Sequence, residues 1–278
     1  MKTRKLLKTL FTGKNATWLD KVSSTNIVAA EQILTHNPPE GTAVLAKFQT
    51  AGKGQAGSDW ESEEGKNLLV SYIFYPTFVE PKDLFILNKA ISLGLYDYLK
   101  SVLGEGVNIK WPNDIYFKGK KIAGVLIENS VTFSEVNHSV VGIGININQR
   151  RFRKYVPAAE SLKNITGNTY HIEECFAGLS NHLETRYLQL KQVGYRSISS
   201  DYRNALYRLG EYFPFRKKGV IFVARILSVL DDGKLVLEDE KGSLETFRFK
   251  EVAFIPDSQL PVSARDRIQT LLSGSRNS

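Results

Sequence analysis

The chain has a single cysteine, Cys175, among its 278 residues. That excludes an internal disulfide framework and a multi-cysteine zinc site and fits a reducing compartment, with Cys175 itself reading as a buried thiol in a helix. No apolar run approaches the ~18 residues of a membrane-spanning helix. The N-terminal stretch Leu6-Leu7-Lys8-Thr9-Leu10-Phe11 is too short for a signal peptide and is broken by Lys8, and the serine-rich stretch of a transit peptide is missing. Internal repeats are absent, as are the P-loop pattern and the Rossmann glycine pattern. Neither an RNP-like aromatic pattern nor a recognition helix stands out. These absences leave a globular cytoplasmic protein, long enough for one large domain and a small one.

The net charge of +8 invites a nucleic-acid reading, and its placement argues against one. Residues 1–19 carry five bases and no acid, residues 20–150 twelve bases and fourteen acids, and residues 151–278 twenty bases and fifteen acids. The central stretch, which holds the motifs below, is slightly acidic. A nucleic-acid groove is therefore not expected there, although the basic ends are able to touch polyanions.

Residues 25–36 read as a helix capped by Ser24 or Thr25, with Ile27, Val28, Ala30, Ile33 and Leu34 on its apolar face and His36-Asn37-Pro38-Pro39 ending it. Strands are expected over 44–49 and 67–76, and a helix over 83–103 that Gly104 and Gly106 stop. Three closely linked strands at 107–117, 120–130 and 139–148 imply antiparallel pairing, and helices follow near 173–193 and 197–208. This grouping makes the large domain α+β. Short strands at 211–216, 219–230, 234–238 and 244–255 suggest a small barrel. The expected division is residues 1–205, residues 206–257, and a mobile tail over 258–278.

Two segments carry the chemistry. In Gln49-Thr50-Ala51-Gly52-Lys53-Gly54-Gln55-Ala56-Gly57-Ser58-Asp59-Trp60, the glycines free the backbone for positive φ and bring N–H groups near an anion, while Lys53 adds charge. In Lys110-Trp111-Pro112-Asn113-Asp114, Pro112 biases Trp111 to extended backbone, so Lys110 and Asn113 are presented from a strand end. A phosphate or carboxylate suits this pairing. Trp60 and Trp111 read equally as apolar ligand walls or as core, and Gly142 and Gly144 as nucleotide-side or packing glycines.

These two segments, with Ser23-Ser24-Thr25-Asn26, the run from Lys121 to Glu128 and the run from Val141 to Asn148, closely resemble the biotin protein ligase family, strongly over residues 17–150 and more loosely to about 256. The resemblance implies a class II synthetase-like catalytic domain, with a mixed, largely antiparallel sheet packed with helices, and an SH3-like C-terminal domain. It implies ATP-dependent formation of biotinoyl-AMP, with magnesium, and transfer of biotin to a lysine of a carboxylase's biotin carboxyl carrier domain. Lys110 and Lys53 would be the catalytic cations. Ser24, Thr25, Asn26, Gln49, Gly54, Gln55 and Gly124, together with both lysines, would bind biotin. Lys53, Gln55, Trp60, Trp111, Asn113 and Asn146 would bind the nucleotide. The metal ligands are not legible, Asn113 and Asp114 being the candidates.

No further 60 residues precede the catalytic region, so the expectation is a monofunctional member without the DNA-binding domain some relatives carry, acting as a monomer or as a homodimer through an edge strand near 139–148. The loop departs from the family's arginine-rich pattern at Lys53, Gln55 and Ser58. Lysine keeps the charge at 53 but loses arginine's bidentate geometry, and the missing charge at 55 predicts leakage of the adenylate. Two rivals remain: a lipoate or octanoate ligase on a related fold, and a nucleic-acid-binding regulatory module, which predicts strongly salt-dependent retention.

Overall fold

The structure is a computed structural model that describes residues 6–153, 159–255 and 259. The chain divides into two compact units between Tyr202 and Arg203. Among the described residues no helix is long and apolar enough to cross a membrane.

The first unit is built on a seven-stranded sheet. Its strands are β1 (Ala16–Val22), β2 (Ala43–Gln49), β3 (Leu68–Phe74), β4 (Val107–Lys110), β5 (Asp114–Phe117), β6 (Lys120–Val131) and β7 (Val136–Ile145), ordered β1-β2-β3-β7-β6-β5-β4. Only the β1–β2 pair is parallel. The α-helices among the described residues are α1 (Thr25–His36), α2 (Phe85–Leu103), α3 (Leu162–Thr166), α4 (Ile172–Val193) and α5 (Tyr195–Asn204), the last ending just past the division. Every residue of β3 is buried, as expected for a strand covered on both faces.

Alternation along the strands sends side chains to two different layers. On the back face, Tyr72 stacks on Phe176 of α4 at 6.0 Å and Phe74 on Tyr187 at 4.6 Å. The Tyr72 hydroxyl is satisfied by Ser180 Oγ at 2.8 Å. Helix α2 lies against α4 at Gly94, where a Cβ would come within 2.9 Å of the Leu183 Cα, so only glycine permits that approach. On the front face, α1 sets Ala29 onto Val44, Ile73 and Val140, covering one end of the sheet, while Gly142 and Gly144 toward the open end stay partly exposed.

Several expectations are corrected. The strand expected over 107–117 is two strands, because residues 111–113 form a turn instead of extended backbone. Strand β7 lies between β3 and β6, so it offers no edge for a dimer. Strand β1 and helix α3 were not anticipated. The last strand, expected over 244–255, splits in two, and the expected tail falls almost wholly outside the described residues.

The second unit is an antiparallel sheet of β8 (Tyr212–Lys217), β9 (Val220–Val229), β10 (Leu235–Asp239), β11 (Leu244–Phe247) and β12 (Ala253–Phe254), ordered β11-β10-β9-β8-β12. Although β9 and β10 separate β8 from β11, Lys217 of β8 pairs with Glu245 and holds its ammonium 5.2 Å over the Phe247 ring. The sheet therefore curls on itself as a small barrel does, around Phe215, Phe222 and Phe247.

Candidate active site

The open end of the front face is bounded by polar side chains on one side and cations on the other. On the polar side, Gln49 Oε1 accepts from the Thr25 backbone N–H at 2.7 Å and lies 3.0 Å from the Thr25 hydroxyl. Ser71 Oγ lies 2.7 Å from Thr25 Oγ1 and 2.6 Å from Asn26 Oδ1, and Asn26 Nδ2 donates to Glu128 at 2.6 Å. Ser24 begins α1, yet its side chain makes no cap bond; Gln49 takes up the N–H of the first helical residue, Thr25. Ser24, Thr25 and Asn26 are all buried.

On the cationic side, register places Lys110 opposite Asp114, and Asp114 opposite Gly124. The Lys110 ammonium sits 3.2 Å from the Tyr116 hydroxyl and 5.0 Å from the centre of its ring. Burial lowers the Lys110 pKa below lysine's ordinary value, Asp114 raises it, and Lys121 lowers it again. Asp114 is ion-paired to Lys121 at 2.7 Å, so two cations converge on one carboxylate. The turn behind Lys110 is held from the far side, where the buried Tyr202 hydroxyl donates to the Pro112 carbonyl at 3.1 Å.

Between the two sides the sheet is stripped of side chains. Gly124 pairs with Gly144, and Gly142 with Leu126, all on the front face. A Cβ on Gly142 would collide with the Asn26 amide, and one on Gly144 would come within 2.5 Å of the Trp60 indole. The glycines are therefore packing glycines, and they also let ligand-sized groups lie close to the sheet backbone. Trp60 rests on this strip with Lys121 Nζ 5.5 Å from its ring centre and its own Nε1 buried without a partner.

The loop before Trp60 closes on itself: Gly54 N–H donates to Ser58 O at 2.6 Å and Trp60 N–H to Gly52 O at 2.9 Å. Of its three glycines only Gly57 has positive φ, because Gly52 and Gly54 are required by crowding against Trp60 and Ser58. Lys53 is exposed and bridged through its backbone to Asp59, while Gln55 is half-buried with an unpartnered Oε1.

Three residues expected at the nucleotide are used as scaffold. Asn113 is buried, with its amide donating to the Val125 carbonyl while its own carbonyl accepts from Val125 N–H at 3.1 Å, clamping the turn to β6. Asn146 is buried and donates to Glu160 O at 3.0 Å. Trp111 is buried as core. Asn113 spends its Nδ2 on the Val125 carbonyl, and Asp114 is ion-paired to Lys121. Among the described residues no three His, Cys, Asp or Glu side chains gather to hold a metal ion.

The sequence model of the biotin/lipoate A/B protein ligase family matches residues 18–146. The bifunctional ligase/repressor BirA of Bacillus spizizenii is 31% identical over 246 residues, covering 85% of this chain and 73% of that protein. The chain belongs to the biotin/lipoate A/B protein ligase family. Another member, the biotin–acetyl-CoA-carboxylase ligase of Paracoccus denitrificans, is 30% identical over 235 residues, covering 81% of this chain and 94% of that one. The biotin protein ligase of Aquifex aeolicus, solved in complex with biotin and ATP, superposes with a TM-score of 0.70 at 26% identity, covering 88% of this chain and 100% of that one.

Within this family member, four residues beside the site were not singled out from the sequence: Ser71, Tyr116, Lys121 and Glu128. Ser71 had a legible signal, being the one hydroxyl inside the apolar run Leu68–Phe74 that carries no aromatic ring. Glu128 and Lys121 acquire meaning only through strand register.

Proposed function

We propose that this chain is a biotin protein ligase that forms biotinoyl-AMP from biotin and ATP and passes biotin to a lysine of a biotin carboxyl carrier domain. The observation that carries this reading is the glycine strip running from the Thr25–Gln49 cluster to Lys110. An acid with a polar head and an apolar tail fits it, head against the hydrogen-bonding cluster and carboxylate against the half-buried Lys110 ammonium. Ser24, Thr25 and Gln49 supply both donors and acceptors to a cyclic urea.

In the first step a carboxylate oxygen of biotin attacks the α-phosphorus of ATP, and the bond to pyrophosphate breaks. Negative charge gathers on the phosphoryl oxygens, where Lys110 stabilises it. Magnesium enters with the nucleotide as part of the substrate. Trp60 forms an apolar wall, and the loop carrying Lys53, Gly54 and Gln55 closes over the product and keeps water from the mixed anhydride. In the second step the ε-amine of the acceptor lysine, having lost a proton, attacks the acyl carbon, and AMP leaves. We assign this chemistry to the first compact unit and place the protein in the cytoplasm, as a monomer or homodimer independent of DNA.

ATP–pyrophosphate exchange with magnesium and biotin, lipoate or octanoate tests the reading. Exchange is expected with biotin and is expected to fall by about 10²–10³-fold in Lys110→Ala. Exchange with lipoate alone would transfer the protein to the sister activity, and none with any acid would end the ligase reading.

A further inference from the structure

The hydrogen bonds beyond the ligand strip form one chain whose direction is fixed at both ends. At one end Glu128 ends the chain as the acceptor of the Asn26 amide N–H, at 2.6 Å. That bond turns Asn26 Oδ1 inward, where Ser71 Oγ meets it at 2.6 Å. At the other end the Thr25 backbone N–H can only donate, and it claims Gln49 Oε1 at 2.7 Å. Ser71, fully buried, joins the two halves: its one proton goes to Asn26 Oδ1 and its oxygen, 2.7 Å from Thr25 Oγ1, accepts the Thr25 hydroxyl proton. The amide oxygen of Gln49 is thus spent inside the protein. Its Nε2 faces the loop, 3.1 Å from where a Cβ on Gly52 would stand. What the site offers a head group is then a fixed donor from Gln49 beside the hydroxyl lone pairs of Thr25 and Ser24.

We propose that Ser71 and Glu128 are positioning residues that lock the amides of Asn26 and Gln49 in this sense and thereby make the site selective for a head bearing a carbonyl flanked by N–H groups. The inference rests on the biotin ligase reading and extends it to two residues that need not touch the substrate. With Glu128 gone, the Asn26 amide is free to turn over and present Nδ2 to Ser71, and the direction of the chain is no longer specified. With Ser71 gone, Asn26 Oδ1 and Thr25 Oγ1 lose their shared partner.

The test uses the full chain in biotin-dependent ATP–pyrophosphate exchange, with octanoate as a competitor that shares the carboxylate and an alkyl chain but lacks the urea. Glu128→Leu and Ser71→Ala are expected to raise KM for biotin about tenfold while leaving kcat and the inhibition constant of octanoate within about twofold. Glu128→Gln, whose carbonyl still accepts from Asn26, is expected to restore KM. Glu128 is exposed, so its variants test the idea even if Ser71→Ala folds poorly. Equal shifts for biotin and octanoate, or an unchanged KM, would overturn the relay and leave the ligase reading standing. Loss of biotin-dependent exchange in the unaltered protein would overturn both.

Discussion

Lys110 shows how a single side chain is tuned by its surroundings. Its ammonium lies on a tyrosine ring at the end of β4, and burial pulls its pKa below lysine's ordinary 10.5. Cation–π contact and the nearby Asp114 offset part of that cost, and Lys121 adds to it. An anion bound against Lys110 favours the charged form and so raises its pKa. Binding at a pH above the free-protein value must then take up a proton. Calorimetric titrations of biotin in buffers of differing ionisation enthalpy should show proton uptake that grows as the solution becomes more alkaline. Lys110→Arg, which stays charged, should bind without uptake. If the arginine variant takes up the same proton, the titrating group is another residue.

At the scale of elements, the glycine strip couples the loop to the sheet. Gly144→Ala would put a methyl group 2.5 Å from the Trp60 indole, so either the ring lifts or the strand shifts. The expected result is a changed Trp60 fluorescence and a KM for ATP raised about tenfold, with Gly144→Ala and Trp60→Ala together far less damaging than the sum of the two. Strict additivity would mean that the indole does not sit on the strip. That contact was only partly legible in the sequence. The glycine spacing and Trp60 were visible, but Gly144 and Trp60 meet through the register of β3, β6 and β7 and the closure of a loop some eighty residues earlier. Helices α2 and α4 and strands β2 and β3 were readable because their apolar faces are continuous. Helix α1 was readable as a helix, but the face expected inward is not the one buried, since Ala29 packs on the sheet with Thr25 and Asn26 buried beside it while Ile27 and Leu34 are exposed. Strand β1 was not, since its exposed edge alternates polar with half-buried residues; nor was α3, only five residues long. The break after Lys110 was missed because Pro112 was read as stiffening a strand, whereas proline cannot donate to the ladder and ends it. Thr25, Gln49 and Lys110 were legible as motif residues. Asn113 and Asn146 carried the same kind of signal but serve the backbone of β6 and the segment before α3, which depends on contacts far apart in sequence.

At the scale of the whole molecule, the basic N-terminus reads in the sequence as an end available to polyanions, yet over residues 6–13 it is part of the fold. Leu7, Thr9 and Thr12 are buried, and Phe11 meets Tyr187 edge-on at 6.1 Å. The buried carboxylate of Glu184 on α4 accepts three consecutive backbone N–H groups, from Leu10 at 2.5 Å and from Phe11 and Thr12 at 2.9 Å each. These donors have no strand or helix of their own, so without Glu184 that of buried Thr12 would be desolvated and unpaired, while those of half-buried Phe11 and exposed Leu10 would turn to water. Glu184→Ala is expected to lower the unfolding free energy by roughly 1–3 kcal/mol in urea titrations, the cost of one orphaned buried donor. Helix α4 covers the back of the sheet, opposite the ligand strip, so KM for biotin should not move under conditions where the variant is folded. A loss under about 0.5 kcal/mol, the range of ordinary surface substitutions, would mean that the segment is bound by its apolar contacts alone. A raised KM with intact stability would mean instead that the strap is coupled through α4 and β3 to the ligand face.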